Sequence, residues 1–256
     1  MAQLLSNLPI GAKIKFGKYS VNGEAAQPII WLVVAKNHTC QPTYPTNSVT
    51  LLTEKSIDLL AFDAAEPNNT YTDRQSGGNN RYSISNIDQW LNNSSNAGQW
   101  YTATHNYDQA PTNVYAGNYG ISYSNRPGFL NGFSDRERNA ILNTTIRLAL
   151  ISSDGGGYED IVRKVFIPSL AEVGYHDNLA GGNVWEYFVT YTKVGYLTEQ
   201  AYIHSLSNSK PGVTESCSWW LRSINSSRDE VYIAYSDSNT SSKKVCWGNT
   251  GVRPAL

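Results

Sequence analysis

The sequence predicts an α+β fold, a mixed or antiparallel sheet with flanking helices and long loops. Strand-length apolar runs lie at both ends of the chain, capped helix starts lie between them, and long stretches without periodicity separate the two. Ala12-Lys-Ile-Lys-Phe16 alternates with period two, as a half-buried strand does. Pro28-Ile-Ile-Trp-Leu-Val-Val34 is continuously apolar and suits the centre of a sheet, and Asn22-Gly23 offers a hairpin turn between the two. Ser48-Val-Thr-Leu-Leu52 reads as a third strand, and Thr53 as the N-cap of a helix over Glu54 to Leu60. Ser85 caps a helix from Asn86 to Leu91 with Ile87, Trp90 and Leu91 on one face. Ser134 with Glu137, and Ser169 with Glu172, have capping-box spacing; the first helix would run to about Asn143. A last short helix follows Thr198, through Ala201 and Tyr202. Segments 66–81, 92–127 and 152–157 read as loops. No repeat or linker divides residues 1–256, so one elaborated domain is expected.

The C-terminal forty residues carry the most information. Cys217-Ser-Trp-Trp-Leu-Arg-Ser223, Glu230-Val-Tyr-Ile-Ala-Tyr-Ser236 and Lys243-Lys-Val-Cys-Trp-Gly-Asn249 alternate with polar loops, and Gly251-Val-Arg-Pro-Ala-Leu256 ends the chain. This is the pattern of a rigid strand meander, residues 217–256, displaying a polar surface. One of Trp219 and Trp220 is expected in the core, because neighbours on a strand face opposite ways. Arg222 and Arg253 read as pins on carboxylates or carbonyls.

Charged residues are only 16% of the chain and aromatics 12%, with 17 Tyr. Tyr with Ser and Asn suits adaptable binding loops; it equally suits an irregular fold whose turns need Asn, Gly and Ser. A net charge of −1 gives no field that would draw nucleic acid. No run approaches the roughly 20 apolar residues of a membrane span, and the first residues do not read as a secretory signal. Cys40, Cys217 and Cys246 match no zinc or redox spacing and read as free thiols.

Strings that invite a catalytic or metal reading lack their partners. Glu66-Pro67-Asn68 matches a calcium-lectin tripeptide but has no following Trp-Asn-Asp, and reads as a turn. Asp154-Gly-Gly-Gly157 lacks the ending of a phosphate loop and the ligands of a calcium loop. His38, His105, His176 and His204 are scattered, and no nucleophile elbow occurs. Asp58, Asp63 and Glu66 would have to converge in space to serve glycoside hydrolysis. No cofactor, metal or catalytic residue is therefore expected.

The blocks Phe16-Gly-Lys-Tyr19, Trp31-Leu-Val-Val-Ala-Lys-Asn-His38, Ser85-Asn-Ile-Asp-Gln-Trp-Leu-Asn92, Val165-Phe-Ile-Pro-Ser-Leu-Ala-Glu-Val-Gly174, Trp219-Trp-Leu-Arg-Ser223 and Gly251-Val-Arg-Pro-Ala-Leu256 resemble, in order, an uncharacterised domain family common in prophages and gut bacteria. The C-terminal pattern also resembles C-type-lectin-like domains of the formylglycine-generating-enzyme type, including the variable proteins of diversity-generating retroelements. That second resemblance implies a C-type-lectin-like fold with a ligand-facing, diversified C-terminal region. Asn225, Ser226, Ser227, Arg228, Asp229, Tyr232, Tyr235, Ser236, Asp237, Ser238, Asn239 and Thr240 match its residue palette; Glu230, Lys243 and Lys244 look like framework. The enzymatic relatives hold copper through a cysteine pair, and nothing around Cys217 or Cys246 repeats their pattern. The expectation is a non-enzymatic, phage- or prophage-encoded protein of the virion or cell surface, made in the cytoplasm. Its partner would be a protein or glycan on a cell surface, with other virion proteins and self-association as further partners. The alternative is a structural tail part without a ligand of its own.

Overall fold

The computed structural model describes residues 4–21, 23–40, 42–116, 122–176, 182–204, 214–235, 237 and 239–256. Its first sheet is an antiparallel ladder of β1 (Lys13–Tyr19), β2 (Gln27–Lys36) and β3 (Val49–Thr53), in the order β1-β2-β3. β2 is the centre, as its unbroken apolar run requires: Trp31, Leu32, Val33, Val34 and Ala35 are all buried. The predicted hairpin turn at Asn22-Gly23 includes Asn22, which lies outside the described residues.

The expected helix over 54–60 is instead a strand, β4 (Asp58–Leu59), at the edge of a second sheet. Ile57, Leu59 and Leu60 are all buried, which one apolar helix stripe could not achieve, and β4 pairs with the chain's last strand. Tertiary pairing overrides the local capping signal at Thr53. Between 66 and 81, where only loop was expected, lies α1 (Thr72–Gly77). Next comes α2 (Asn86–Leu91), capped as predicted: Ser85 Oγ accepts from the Asp88 N–H at 3.3 Å, and Ile87, Trp90 and Leu91 are buried. The Ser134–Glu137 capping box forms on α3 (Asp135–Ala140), which ends three residues short of the expected Asn143.

A hairpin that the sequence reading missed follows, β5 (Thr144–Ala149) with β6 (Tyr158–Arg163). β6 alternates exposed and half-buried positions, and β5 alternates buried and half-buried ones, a period-two signal present in the sequence. The Ser169–Glu172 capping bonds also form, but around a turn rather than a regular helix. The remaining elements are α4 (Glu186–Thr190), β7 (Gly195–Tyr196), α5 (Glu199–His204), β8 (Ser216–Cys217), β9 (Trp219–Ile224), β10 (Glu230–Ala234), β11 (Thr240–Lys244) and β12 (Gly251–Val252). α5 is the helix expected after Thr198.

The second sheet has the order β11-β10-β9-β12-β4. The two sheets are joined at the C-terminus. Leu51 and Leu256 exchange backbone hydrogen bonds at 2.8 and 2.9 Å, and Thr53 N–H reaches Pro254 O at 3.0 Å. Ala255 also bridges Leu52 and Phe166. The result is an α+β fold around a curled sheet.

β9 is covered on both faces, so the tryptophan expected in the core is there and its neighbour is buried as well. Trp220 meets Phe62 edge to face and donates to Leu60 O at 2.8 Å. Trp219 stacks toward Phe188 of α4 and donates to Lys193 O at 3.0 Å. Both indole N–H groups are thus satisfied, which burial demands.

On the same strand Arg222 is almost wholly buried and forms two charged bonds with Glu172, at 2.6 and 2.7 Å. Arg222 also donates to Ile167 O, and Glu172 accepts from Tyr44 OH at 2.6 Å and from Ser169 N–H at 2.8 Å. Burial alone would raise the Glu172 carboxyl; the Arg222 charge and these bonds outweigh it and hold the carboxyl below its ordinary value. A depressed acid contributes stability above its unfolded pKa, and that contribution is lost as pH falls through the folded one. Glu172→Gln is expected to lower unfolding free energy by about 3–5 kcal/mol at neutral pH, because it strands a buried guanidinium. In denaturant melts repeated toward pH 3 the deficit should shrink; a constant deficit would mean the charge contributes nothing.

Candidate functional site

The twelve polar positions expected to form one contact surface fall into two groups at opposite ends of β10. Residues 225–229 connect β9 to the start of β10, and residues 235–239 connect its end to β11. Five residues at about 3.3 Å each separate the two turns by roughly 16 Å, with Tyr232 half-buried between them.

The first turn is tied into the body. Asn80 donates to Ser227 O at 2.7 Å, and its backbone N–H donates to Arg228 O. Arg74 Nε also reaches Arg228 O, and the Arg228 guanidinium meets Asp73 at 3.1 Å and lies 4.6 Å from the Tyr71 ring centre. Asp229 is 3% exposed, accepts from Ser227 Oγ and pairs with Lys244 at 3.0 Å. Its side chain packs against Gly77, where an added Cβ would collide with the carboxylate. Ser227, Arg228 and Asp229 are therefore fastenings between β10 and α1; of this group Ser226 is exposed, Asn225, Ser227 and Arg228 are half-buried and Asp229 is buried. Short polar residues suit a variable surface and an internal clamp equally, and sequence does not separate the two.

The second turn projects. Tyr235 is 45% exposed, and Asp237, Asn239 and Thr240 are exposed. Ser236 and Ser238 lie outside the described residues. The backbone is shaped by local bonds: Tyr235 N–H to Asn239 O at 2.8 Å, and Asp237 accepting from the Asn239 backbone and side chain. Tyr175 OH braces it by donating to Asn239 O at 2.7 Å. β11 beside it is an edge strand, with Thr240 and Ser241 exposed. Tyr232 lies opposite Ser242 and shares its face with Glu230, whose carboxylate accepts from Ser242 Oγ and Asn225 Nδ2. Lys243 faces the other way, opposite Val231, with burial pushing its amine down to about 8. Glu230, Lys243 and Lys244 thus have framework positions.

Of the carboxylates considered for hydrolysis, Asp63 and Glu66 come close enough to influence each other, and Asp58 is engaged elsewhere. Asp58 accepts from Tyr19 OH at 2.6 Å and pairs with Arg126. Asp63 and Glu66 do influence each other, but Asp63 is buried as an acceptor for the Asn79 and Asn86 N–H groups, each at 3.0 Å. Burial first and Glu66 second push Asp63 well above the ordinary range. Glu66 closes the Pro67-Asn68 turn, accepting from Asn69 Nδ2 at 2.5 Å, and burial pushes it up to about 7. Asp154 of the Gly-rich turn holds Arg74 through two bonds at 2.9 and 2.6 Å. Among the described residues no three His, Cys, Asp or Glu side chains cluster as metal ligands. All three cysteines are free; Cys217 lies on β8 beside Ser56, whereas Cys246 lies in the turn after β11 and bonds Ser76 O. Burial raises both Cys40 and Cys246 to about 11, leaving them protonated at neutral pH. No helix among the described residues is long and apolar enough to cross a membrane.

Fold and surface together define an α+β domain with a buried, ion-paired strand meander and a projecting polar hairpin. The chain belongs to the DUF6273 family, a domain of unknown function whose model matches residues 47–256. The match begins just before β3, so β1 and β2 lie outside it although both complete the sheet that β3 edges. No curated protein and no solved structure matches the chain.

The raised Glu66 carboxyl has a measurable consequence. Between about 4.5 and 7 the unfolded chain has released this proton and the folded chain has kept it, so stability falls as pH rises through that window. Glu66→Gln is expected to match the parent near pH 4 and to exceed it by about 1–3 kcal/mol at pH 8. Thermal melts at both pH values check this; a variant less stable at pH 8 would refute it.

Proposed function

We propose that this chain is a non-enzymatic recognition domain on a C-type-lectin-like scaffold, encoded by a phage or prophage. Its contact surface is the β10–β11 hairpin: Tyr232, Tyr235, Asp237, Asn239 and Thr240, with Ser236 and Ser238 between them in sequence. The observation that carries the reading is a division within one strand pair. Val231 and Ile233 of β10 are buried against β9, while the turn that follows is exposed and built from Tyr, Ser, Asp and Asn. Such a hairpin tolerates change at its tip without disturbing the core, because the fold's stability is held by residues facing the other way. Diversification of the tip by a retroelement is the finer form of the proposal. The return of the C-terminus onto β3 and β4, which unites early and late strands, supports the lectin-like form.

The test is to bind the purified chain to host cells. Tyr235→Ala with Asn239→Ala should abolish retention while moving the melting temperature by no more than about 2 °C, since both positions are exposed. Asp229→Ala should instead destabilise the domain by about 1–3 kcal/mol, by removing the acceptor of Ser227 Oγ and opening the seam against Gly77 of α1. Unchanged retention in the hairpin double variant would overturn the contact assignment. Stable assembly with other virion proteins, without cell binding, would favour a structural tail part.

A further inference from the structure

A second surface of different chemistry shares no residue with the hairpin. Residues 9–13 ahead of and within β1, Leu32 of β2, Glu54, the segment from Tyr187 to Tyr196, and Arg253 enclose an open cleft of about 500 Å³. That is within the usual size of small-ligand sites. Its wall is tyrosine: Tyr187 and Tyr191 stack with ring centres 4.5 Å apart, and Tyr191 and Tyr196 are 48% and 39% exposed.

Arg253 closes the inner end. It is 2% exposed, and its Nε and Nη2 are spent on Thr53 O, at 3.1 and 2.9 Å, and on Glu54 O at 3.2 Å. Trp219 covers it at 4.7 Å. Among the described residues Nη1 has no hydrogen-bond partner and no carboxylate pairs with the guanidinium. The carboxylate that also lines the cleft, Glu54, is taken by Lys13 at the mouth. The cleft therefore holds one uncompensated positive charge. Arg222, the other buried arginine of the C-terminal strands, has a full carboxylate partner. The cost of leaving Arg253 without one shows in its pKa, which burial brings down to about 10.

We infer that this cleft binds an acidic sugar, with the ligand carboxylate on the free Nη1 side of Arg253 and the sugar ring against Tyr191 and Tyr196. Guanidinium donors match a carboxylate in charge and geometry. Tyrosine offers a flat apolar face for the ring's C–H groups and a hydroxyl for its O–H groups. Lys13, paired with Glu54 at the rim, keeps that carboxylate from competing for the inner position. A plain apolar ligand would leave the guanidinium buried and unmatched, which disfavours it.

The experiment is calorimetric titration of the full chain with glucuronate and with N-acetylneuraminate, using glucose as the neutral counterpart. At least one acidic sugar should saturate the protein, with glucose weaker by about tenfold or more, the loss expected for a charge-assisted contact. Tyr191→Ala and Tyr196→Ala, both at exposed positions, should each weaken binding several-fold with an unchanged melting temperature. Arg253→Lys should reduce it at least tenfold; if that variant does not fold, the tyrosine variants and the glucose comparison decide. Saturation by neither acidic sugar, equal affinity for glucose, or unaltered binding in both tyrosine variants would each overturn the proposal. The hairpin variants Tyr235→Ala and Asn239→Ala should leave sugar binding intact, so this site and the hairpin reading stand or fall separately.

Discussion

The Arg222–Glu172 pair is the constraint around which the rest of the molecule is arranged. It joins β9, the turn after Pro168 and, through Tyr44, the loop before β3. A buried ion pair gains little over a well-packed apolar substitute, but it penalises any arrangement that separates its members. That makes it a registry device. β9 can slide neither along β10 nor away from the 169–172 turn without exposing a charge to apolar surroundings. Phe166 lies 5.6 Å from the guanidinium and bridges to Ala255, so the same clasp also fixes where the chain's last residues return.

The Arg253 site works on the opposite principle. Its guanidinium is held by carbonyls alone, so it locks β12 against the end of β3 without cancelling its own charge. Carbonyl dipoles stabilise a cation less than a carboxylate does, and the lowered pKa of Arg253 against the raised one of Arg222 expresses that difference. Two arginines 31 positions apart thus do similar mechanical work on different electrostatic terms.

Much of this was legible in the sequence where one residue type has one good structural use. The apolar run of β2, the Ser85 cap and the Ser134–Glu137 box all gave the right element, and both arginine pins were readable from their place on apolar strands. Elements held by distant partners were not legible. β4 is two residues long and exists because Gly251 and Val252 lie beside it. Residues 186–190 form α4 without a capping side chain, its buried Phe188 packed toward Trp219. The candidate surface was half legible for a related reason. Which of two similar polar turns is clamped depends on α1 and Asn80, more than a hundred residues earlier, and no local pattern reports that.

The same ambiguity runs through the composition, and the structure resolves it residue by residue. Asn69, Asn79, Asn80 and Asn86 are buried, and each serves as a side-chain substitute for backbone pairing. Asn92 does so most completely, accepting from the Lys164 and Val165 N–H groups at 3.1 Å and donating to Val165 O at 2.8 Å, as a strand neighbour would. Tyr44, Tyr82 and Tyr123 are core. Long irregular segments carry backbone groups that helices and ladders do not satisfy, and buried amides satisfy them at fixed geometry. Most of the polar enrichment is therefore a consequence of a loop-rich fold. Tyr235 on the β10–β11 hairpin and Tyr191 and Tyr196 along the cleft have no such place in the core and stand exposed.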